Sequence, residues 1–118
     1  MTQAKVLGAK GEQAVSLWLQ QFGYTILTRN FNSKYGEIDI IACKDDVVAF
    51  IEVKTRLTEY FPISNTVTRS KQKKLAQTAK IFVLQNKISN KVLRFDVATV
   101  TPINQSYQIH YIQNAFQT

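Results

Sequence analysis

Gly36-Glu37-Ile38-Asp39-Ile40-Ile41-Ala42-Cys43-Lys44-Asp45-Asp46-Val47-Val48-Ala49-Phe50-Ile51-Glu52-Val53-Lys54 is the stretch whose reading decides the fold. Two runs rich in β-branched and aromatic residues flank the polar turn Lys44-Asp45-Asp46. The pattern predicts a hairpin, with one strand from Glu37 to Cys43 and the next from Val47 to Lys54. A loop centred between Asp45 and Asp46 sets Asp39 directly opposite Glu52, and Glu37 opposite Lys54. Opposite residues share a face with Cβ atoms about 4.5–5.5 Å apart. Lys54, two residues beyond Glu52, joins that face. Val47, Ala49, Ile51 and Val53 make the other face, which reads as core. The register matters, because an odd-length loop would send Asp39 and Glu52 to opposite faces. Asp-Asp is not a favoured two-residue turn, so a four-residue loop with the same centre is expected.

Outward from the hairpin, residues 9–22 read as a helix. Ala14, Val15, Trp18, Leu19 and Phe22 recur at helical spacing, Trp18 and Phe22 as core, and Gly23 is a natural stop. Glu12 lies one turn before this stripe, at the edge of the apolar face. Tyr24 to Arg29 reads as a strand. Residues 57–68 read as a loop, and residues 69–86 as a second helix with Leu75, Ala79, Phe82 and Val83 on one stripe. Val92 to Thr101 and Gln108 to Gln113 are two further strands, with Pro102 between them. The order αβββαββ predicts an α/β fold in which one mixed sheet is flanked by helices. The 118 residues fit a single domain spanning 1–118. With 45% hydrophobic and 11% aromatic residues, the composition is that of a globular protein.

Several function classes fall away. One cysteine, Cys43, makes no internal disulfide, and the lone His110 has no metal-ligand spacing around it. Cys43 reads as a packing residue. The first residues lack an apolar stretch resembling a signal peptide, and the run from Val47 to Ile51 is too short to cross a bilayer. No membrane association is expected, and cytoplasm is the expected compartment. The formal charge of +7, from fifteen basic against eight acidic residues, attracts polyanions, of which nucleic acid is the commonest. The distribution is more telling than the total. No acid lies between Tyr60 and Phe95, a stretch carrying Arg69, Lys71, Lys73, Lys74, Lys80, Lys87, Lys91 and Arg94. Five of the eight acids fall between Glu37 and Glu52. A basic half beside an acid cluster suggests a phosphate-binding face next to a cation site.

Opposed carboxylates repel by a few tenths to about 1 kcal/mol even when solvated, and partial burial raises the cost or forces protonation. A divalent cation removes the conflict. Two or three carboxylates and water describe a Mg²⁺ or Mn²⁺ site, with Glu12 as the natural third carboxylate beside Asp39 and Glu52. Such a cation offsets charge on a phosphodiester and acidifies water. Lys54 is placed to hold the attacking water or a phosphate oxygen. Glu-x-Lys alone is weak, since exposed strands often pair such charges. The weight comes from Glu12, Gly36-Glu37-Ile38-Asp39 and Glu52-Val53-Lys54 together.

These residues resemble the PD-(D/E)xK nuclease signature, and more closely the bacterial YraN-like family of uncharacterised, predicted endonucleases related to archaeal Holliday-junction resolvases. The resemblance covers nearly the whole chain. It runs through Gly8-Ala9-Lys10-Gly11-Glu12, Arg29-Asn30, Gly36-Glu37-Ile38-Asp39-Ile40-Ile41, Phe50-Ile51-Glu52-Val53-Lys54-Thr55-Arg56, Arg94-Phe95-Asp96-Val97 and Asn114-Ala115-Phe116. It implies a restriction-endonuclease-like core and Mg²⁺-dependent cleavage. Glu12, Asp39 and Glu52 would be metal ligands, with Asp39, Glu52 and Lys54 as the reaction centre. The sequence departs from the family at Phe61-Pro62-Ile63-Ser64-Asn65-Thr66, where relatives often continue Phe-Gly, and at Asn32, where they often carry a basic residue.

Around this centre, Lys71 shares the stripe of Leu75, Ala79 and Phe82 and is expected to point toward the sheet near the helix N-terminus, either as a nucleic-acid contact reaching a phosphate or as a lysine whose stem covers apolar surface. Lys73, Lys74 and Lys80 fall mostly on the outer face of the second helix, and Lys74 is counted among the residues that track a nucleic-acid backbone. Arg56 follows the active strand as a phosphate contact. Arg29 is counted among the nucleic-acid contacts and is also expected to pair with Glu37 or Asp39, with Glu37 in a supporting role. Tyr35 and Tyr60 flank the site in loops, where a base can stack on them. Asp96 reads as structural, bonded to Arg94 or a loop amide. Three functions remain open: a metal-dependent nuclease acting on nucleic acid, foremost DNA including branched or repair intermediates, a nucleic-acid-binding module on the same fold without turnover, and, behind both, a protein-interaction adaptor whose basic patch binds an acidic partner. Dimeric junction-resolving relatives leave room for a homodimer.

Overall fold

The structure, a computed structural model, describes residues 3–56 and 67–117, the first five by their backbone alone. Of the loop expected at 57–68, residues 57–66, with Tyr60 and the departure at 61–66, lie outside the described residues. The elements are α1 (Gln3–Gln21), β1 (Thr25–Ser33), β2 (Gly36–Lys44), β3 (Val47–Thr55), α2 (Arg69–Gln85), β4 (Val92–Ile103) and β5 (Ser106–Phe116). This is the expected order. The strands form one sheet in the order β1-β2-β3-β4-β5. Neighbours run antiparallel except β3 and β4, which are parallel. A parallel pair needs a crossover, and α2 lies on that connection.

The helices cover opposite faces. Val15 and Leu19 of α1 pack with Ile40, Ala42, Ala49, Ile51, Val53, Ala98 and Val100. Leu75, Ala79 and Phe82 of α2 pack with Ile38, Ile41, Val48, Phe50 and Val97. Strand β3 is therefore buried on both faces. The face that carries Glu52 and Lys54 is core at Val48 and Phe50 and turns charged only at those two residues. A central strand sandwiched between two helices has no solvent side to spare. Phe22 departs from expectation in the other sense. It lies past the end of α1, is 54% exposed, and sets its ring against Trp18 at 4.6 Å between ring centroids.

The turns explain the remaining differences. Lys44 pairs with Val47, so the β2–β3 loop has two residues, not four. Asp45 makes this possible by taking φ +53°, a left-handed conformation that Asp tolerates better than most residues. Pro102 does not separate β4 from β5; it pairs with Tyr107 near the end of the ladder. The turn is Asn104-Gln105, both left-handed at φ 48° and 64°, as a tight two-residue hairpin demands. Gly23 ends α1 at φ 91°, in the backbone region that favours glycine.

Candidate active site

The site forms where the sheet parts. The β2–β3 register is the expected one from Lys44↔Val47 to Ile40↔Ile51, but the ladder stops there. Asp39 and Glu52, expected as a directly opposed pair, are not paired through their backbones. Instead Asp39 Oδ2 accepts a hydrogen bond from the Val53 backbone N–H at 2.8 Å. A carboxylate takes the place of a main-chain carbonyl, which holds the two strands open at this end. The other neighbour of β2 is disturbed at the same level. Pairs Arg29↔Ile40 and Phe31↔Ile38 bracket Asn30, which takes φ +54° and drops out of the β1 ladder. Side-chain alternation along β2 slips here too, since Ile38 and Ile41 both pack on the α2 side.

Glu52 is 6% exposed, on the face covered by α2. Its Oε1 receives two ammonium groups, Lys71 Nζ at 2.7 Å and Lys54 Nζ at 3.2 Å. Lys71 reaches it because Thr68 caps α2, accepting from the Lys71 backbone N–H at 3.2 Å, which fixes the first turn over the end of β3. Glu12 comes from α1. Gly11 lets that helix sit close to β3: a Cβ there would collide with the Thr55 hydroxyl. Arg29 Nη2 lies 3.8 Å from Glu12 Oε1, and its Nη1 donates to Gln13 at 2.7 Å. Arg29 was expected to pair with Glu37 or Asp39; α1 brings Glu12 and Gln13 nearer. Asn30, with its amide nitrogen turned inward, donates to Glu37 Oε1 at 2.6 Å and to Glu12 Oε1 at 3.1 Å.

The electrostatics follow from crowding. Burial first, then Glu52, lifts the Asp39 carboxyl from its ordinary 3.8 to about 7; Glu12 and Glu37 add to the lift, and the Val53 amide opposes it. Burial also raises Glu12, with Arg29 pulling the other way. Lys54 is lowered, first by burial and then by Lys71. Lys71 is raised: burial opposes this, but its bond to Glu52 prevails.

Glu12, Arg29, Glu37, Asp39, Glu52, Lys54 and Lys71 thus share one neighbourhood. Beside it a cleft of about 390 Å³ is lined by Tyr35, Glu37, Thr68, Lys71 and Lys74, among others. Arg56 stands just beyond β3, its backbone N–H donating to Val100 O at 2.8 Å and its Nη1 to Thr55 O at 3.4 Å. Sequence reasoning gave Asn30 no role, though an asparagine at a strand end before an acidic cluster is the residue type for a left-handed bulge. It also missed the pairing of Lys71 with Glu52, which depends on how α2 crosses the sheet.

Among the described residues, no group of three or more His, Cys, Asp or Glu side chains stands ready to hold a metal ion. Arg29 and the two lysines occupy the charge positions instead. The donor chemistry nevertheless suits a hard dication. It is all oxygen, it is partly desolvated, and it holds one carboxyl that burial and the neighbouring carboxylates make hard to ionise.

Asp96 makes a useful contrast. It is as deeply buried as Glu52, on the α1 face of the sheet, and has a full set of fixed donors. Arg94 Nε and Nη2 donate at 2.9 Å each, Tyr111 Oη at 2.5 Å and the Asn114 backbone N–H at 2.8 Å. That is the structural role expected for it.

Among the described residues no helix is long and apolar enough to cross a membrane. The sequence profile of the uncharacterised protein family UPF0102 matches residues 11–100. A UPF0102 protein of Alkaliphilus metalliredigens is 40% identical over 114 residues, covering 96% of this chain and 99% of the relative. One from Clostridium acetobutylicum is 40% identical over 116 residues, with 96% and 95% covered. One from Clostridium botulinum is 42% identical over 117 residues, with the same coverage.

Proposed function

This chain belongs to the uncharacterised protein family UPF0102, the YraN-like family its motifs resemble, and on its site we propose that it is a metal-dependent nuclease hydrolysing phosphodiester bonds of nucleic acid, foremost DNA, in the cytoplasm. One observation carries the proposal. Glu12, Glu37, Asp39 and Glu52 converge at a parted sheet end, where burial, then Glu52, lifts the Asp39 carboxyl to about 7. A structural carboxylate is satisfied as Asp96 is; a cluster left in conflict suits a cation that arrives with the substrate.

Glu12, Asp39 and Glu52 are the residues that would hold Mg²⁺ or Mn²⁺. When bound, such an ion offsets charge on the phosphate and lowers the cost of deprotonating a water. Lys54, tethered to Glu52, orients that water and stabilises charge on a non-bridging oxygen. Water oxygen bonds to phosphorus as the ester P–O bond breaks, giving a phosphomonoester and a hydroxyl. Asn30 holds Glu12 and Glu37 together. Lys74 and Arg56 contact the backbone, and Tyr35 at the cleft offers a ring for an unpaired base. A four-way junction substrate would call for a homodimer, matching its two-fold symmetry.

The test is a cleavage panel of single-stranded, duplex, flap and four-way DNA plus RNA, with Mg²⁺, Mn²⁺ or EDTA. Cleavage is expected with either metal and not with EDTA. Lys54→Ala and Asp39→Ala are expected to lower it at least ~100-fold. The salt links at Glu52 favour a second reading, nucleic-acid binding without turnover. Salt-sensitive binding indifferent to EDTA, with no cleavage under any divalent ion, would establish that reading and end the first.

A further inference from the structure

Glu52 is neutralised from both sides. Lys54 comes from its own strand, two residues away, and cannot leave the neighbourhood. Lys71 comes from α2, makes the shorter contact at 2.7 Å, and is about one-third exposed. It also lines the 390 Å³ cleft, with Lys74, Thr68, Tyr35 and Glu37. Its ammonium therefore stands at a boundary, with the buried carboxylate on one side and an open, basic cleft on the other. A lysine on a flexible four-carbon stem can serve either.

We infer that Lys71 is a resident counter-cation that occupies Glu52 until a divalent ion displaces it, after which the same ammonium turns into the cleft and takes a phosphate of the incoming strand. This inference rests on the metal-dependent reading above and adds its regulation. A dication and Lys71 both seek Glu52 Oε1, and with Lys54 already on that oxygen, adding a doubly charged ion beside both ammonium groups is unfavourable. Metal entry thus releases Lys71, and a phosphate in the cleft stabilises the released position. By linkage each ligand then tightens the other. In the absence of nucleic acid Lys71 competes with the ion for Glu52, which weakens idle metal loading.

The experiment is Mn²⁺ titration by calorimetry at low ionic strength, on wild type, Lys71→Met, Lys74→Met and Asp39→Asn. Removing a charge-assisted competitor is expected to tighten Mn²⁺ about tenfold in Lys71→Met. Lys74→Met lacks the Glu52 contact and is expected to change affinity about twofold or less, the general field effect alone. Lys71→Gln, measured alongside, keeps the stem and polarity and should behave as Lys71→Met. A second arm measures binding of a fluorescent oligothymidylate with Ca²⁺ or EDTA. Ca²⁺ should tighten binding more in wild type than in Lys71→Met. Equal shifts in Lys71→Met and Lys74→Met, or weaker Mn²⁺ binding in Lys71→Met, would overturn the displacement while Asp39-dependent uptake kept the metal site. No uptake in any variant, with Asp39→Asn indistinguishable from wild type, would overturn the metal-dependent reading and this inference with it.

Discussion

Asp39→Asn should stabilise the metal-free protein at neutral pH and remove its response to manganese. The folded state lifts this carboxyl from 3.8 to about 7, chiefly by burial and then by Glu52. A carboxyl harder to ionise in the folded chain costs nothing while both states are protonated. The cost begins above about pH 3.8, grows as pH rises, and levels off above about pH 7. At 1.36 kcal/mol per pH unit, the ceiling is about 4 kcal/mol. Part of the lift is repulsion from Glu52, which Lys71 and Lys54 offset, so the measurable gain is expected at about 1–2 kcal/mol. Asparagine keeps an acceptor for the Val53 amide and removes the charge. In EDTA, urea unfolding at pH 8 should shift its midpoint upward by about 1 M, taking a slope near 1–3 kcal/mol per M. At pH 4 the two proteins should nearly coincide. Adding Mn²⁺ should stabilise wild type by mass action and leave Asp39→Asn where it was. A midpoint difference that ignores pH, or an asparagine variant weaker than wild type at pH 8, would refute the reasoning.

Three further outcomes are expected. Gly11→Ala drives a methyl into the Thr55 hydroxyl and should cost about 1–3 kcal/mol; chemical denaturation should show Thr55→Ala restoring part of that loss in the double variant and weakening the protein little by itself. Arg94→Met leaves Asp96, 1% exposed, without its guanidinium and should cost about 3–5 kcal/mol by urea unfolding. Affinity for single-stranded DNA should fall with salt, and Lys74→Ala should reduce the slope of log K against log salt by about 0.7 in an anisotropy titration, against no change if Lys74 is a bystander.

Much of this was legible in the chain because the hairpin from Gly36 to Lys54 constrains so much. Polar Asp45 and Asp46 between two apolar runs fixed the register, and the register brought Asp39 and Glu52 to the same end of two neighbouring strands. Helical spacing placed Glu12 at the rim of α1 and turned Lys71 toward the sheet. What stayed hidden depended on three-dimensional closure. The two-residue loop needed Asp45 to enter left-handed space, which propensity ranks below Asn-Gly. Both faces of β3 are buried because α2 crosses back over Val48 and Phe50, a fact about layers that no single strand reveals. The break at Asp39 arises from Asn30 on one side and the Val53 amide on the other, and neither residue announces it alone.

The two buried carboxylates suggest how such a protein can be altered. Asp96 is fastened by a main-chain amide, a ring hydroxyl and a planar guanidinium, all anchored in the packing, so any replacement there must rebuild several attachments at once. Glu52 is fastened by the tips of two long, bendable side chains, and loosening one leaves the sheet intact. Swapping Lys71 therefore offers a route to retune the chemistry of one face while the opposite face keeps the molecule upright, much as a hinge pin can be changed without dismantling the door frame.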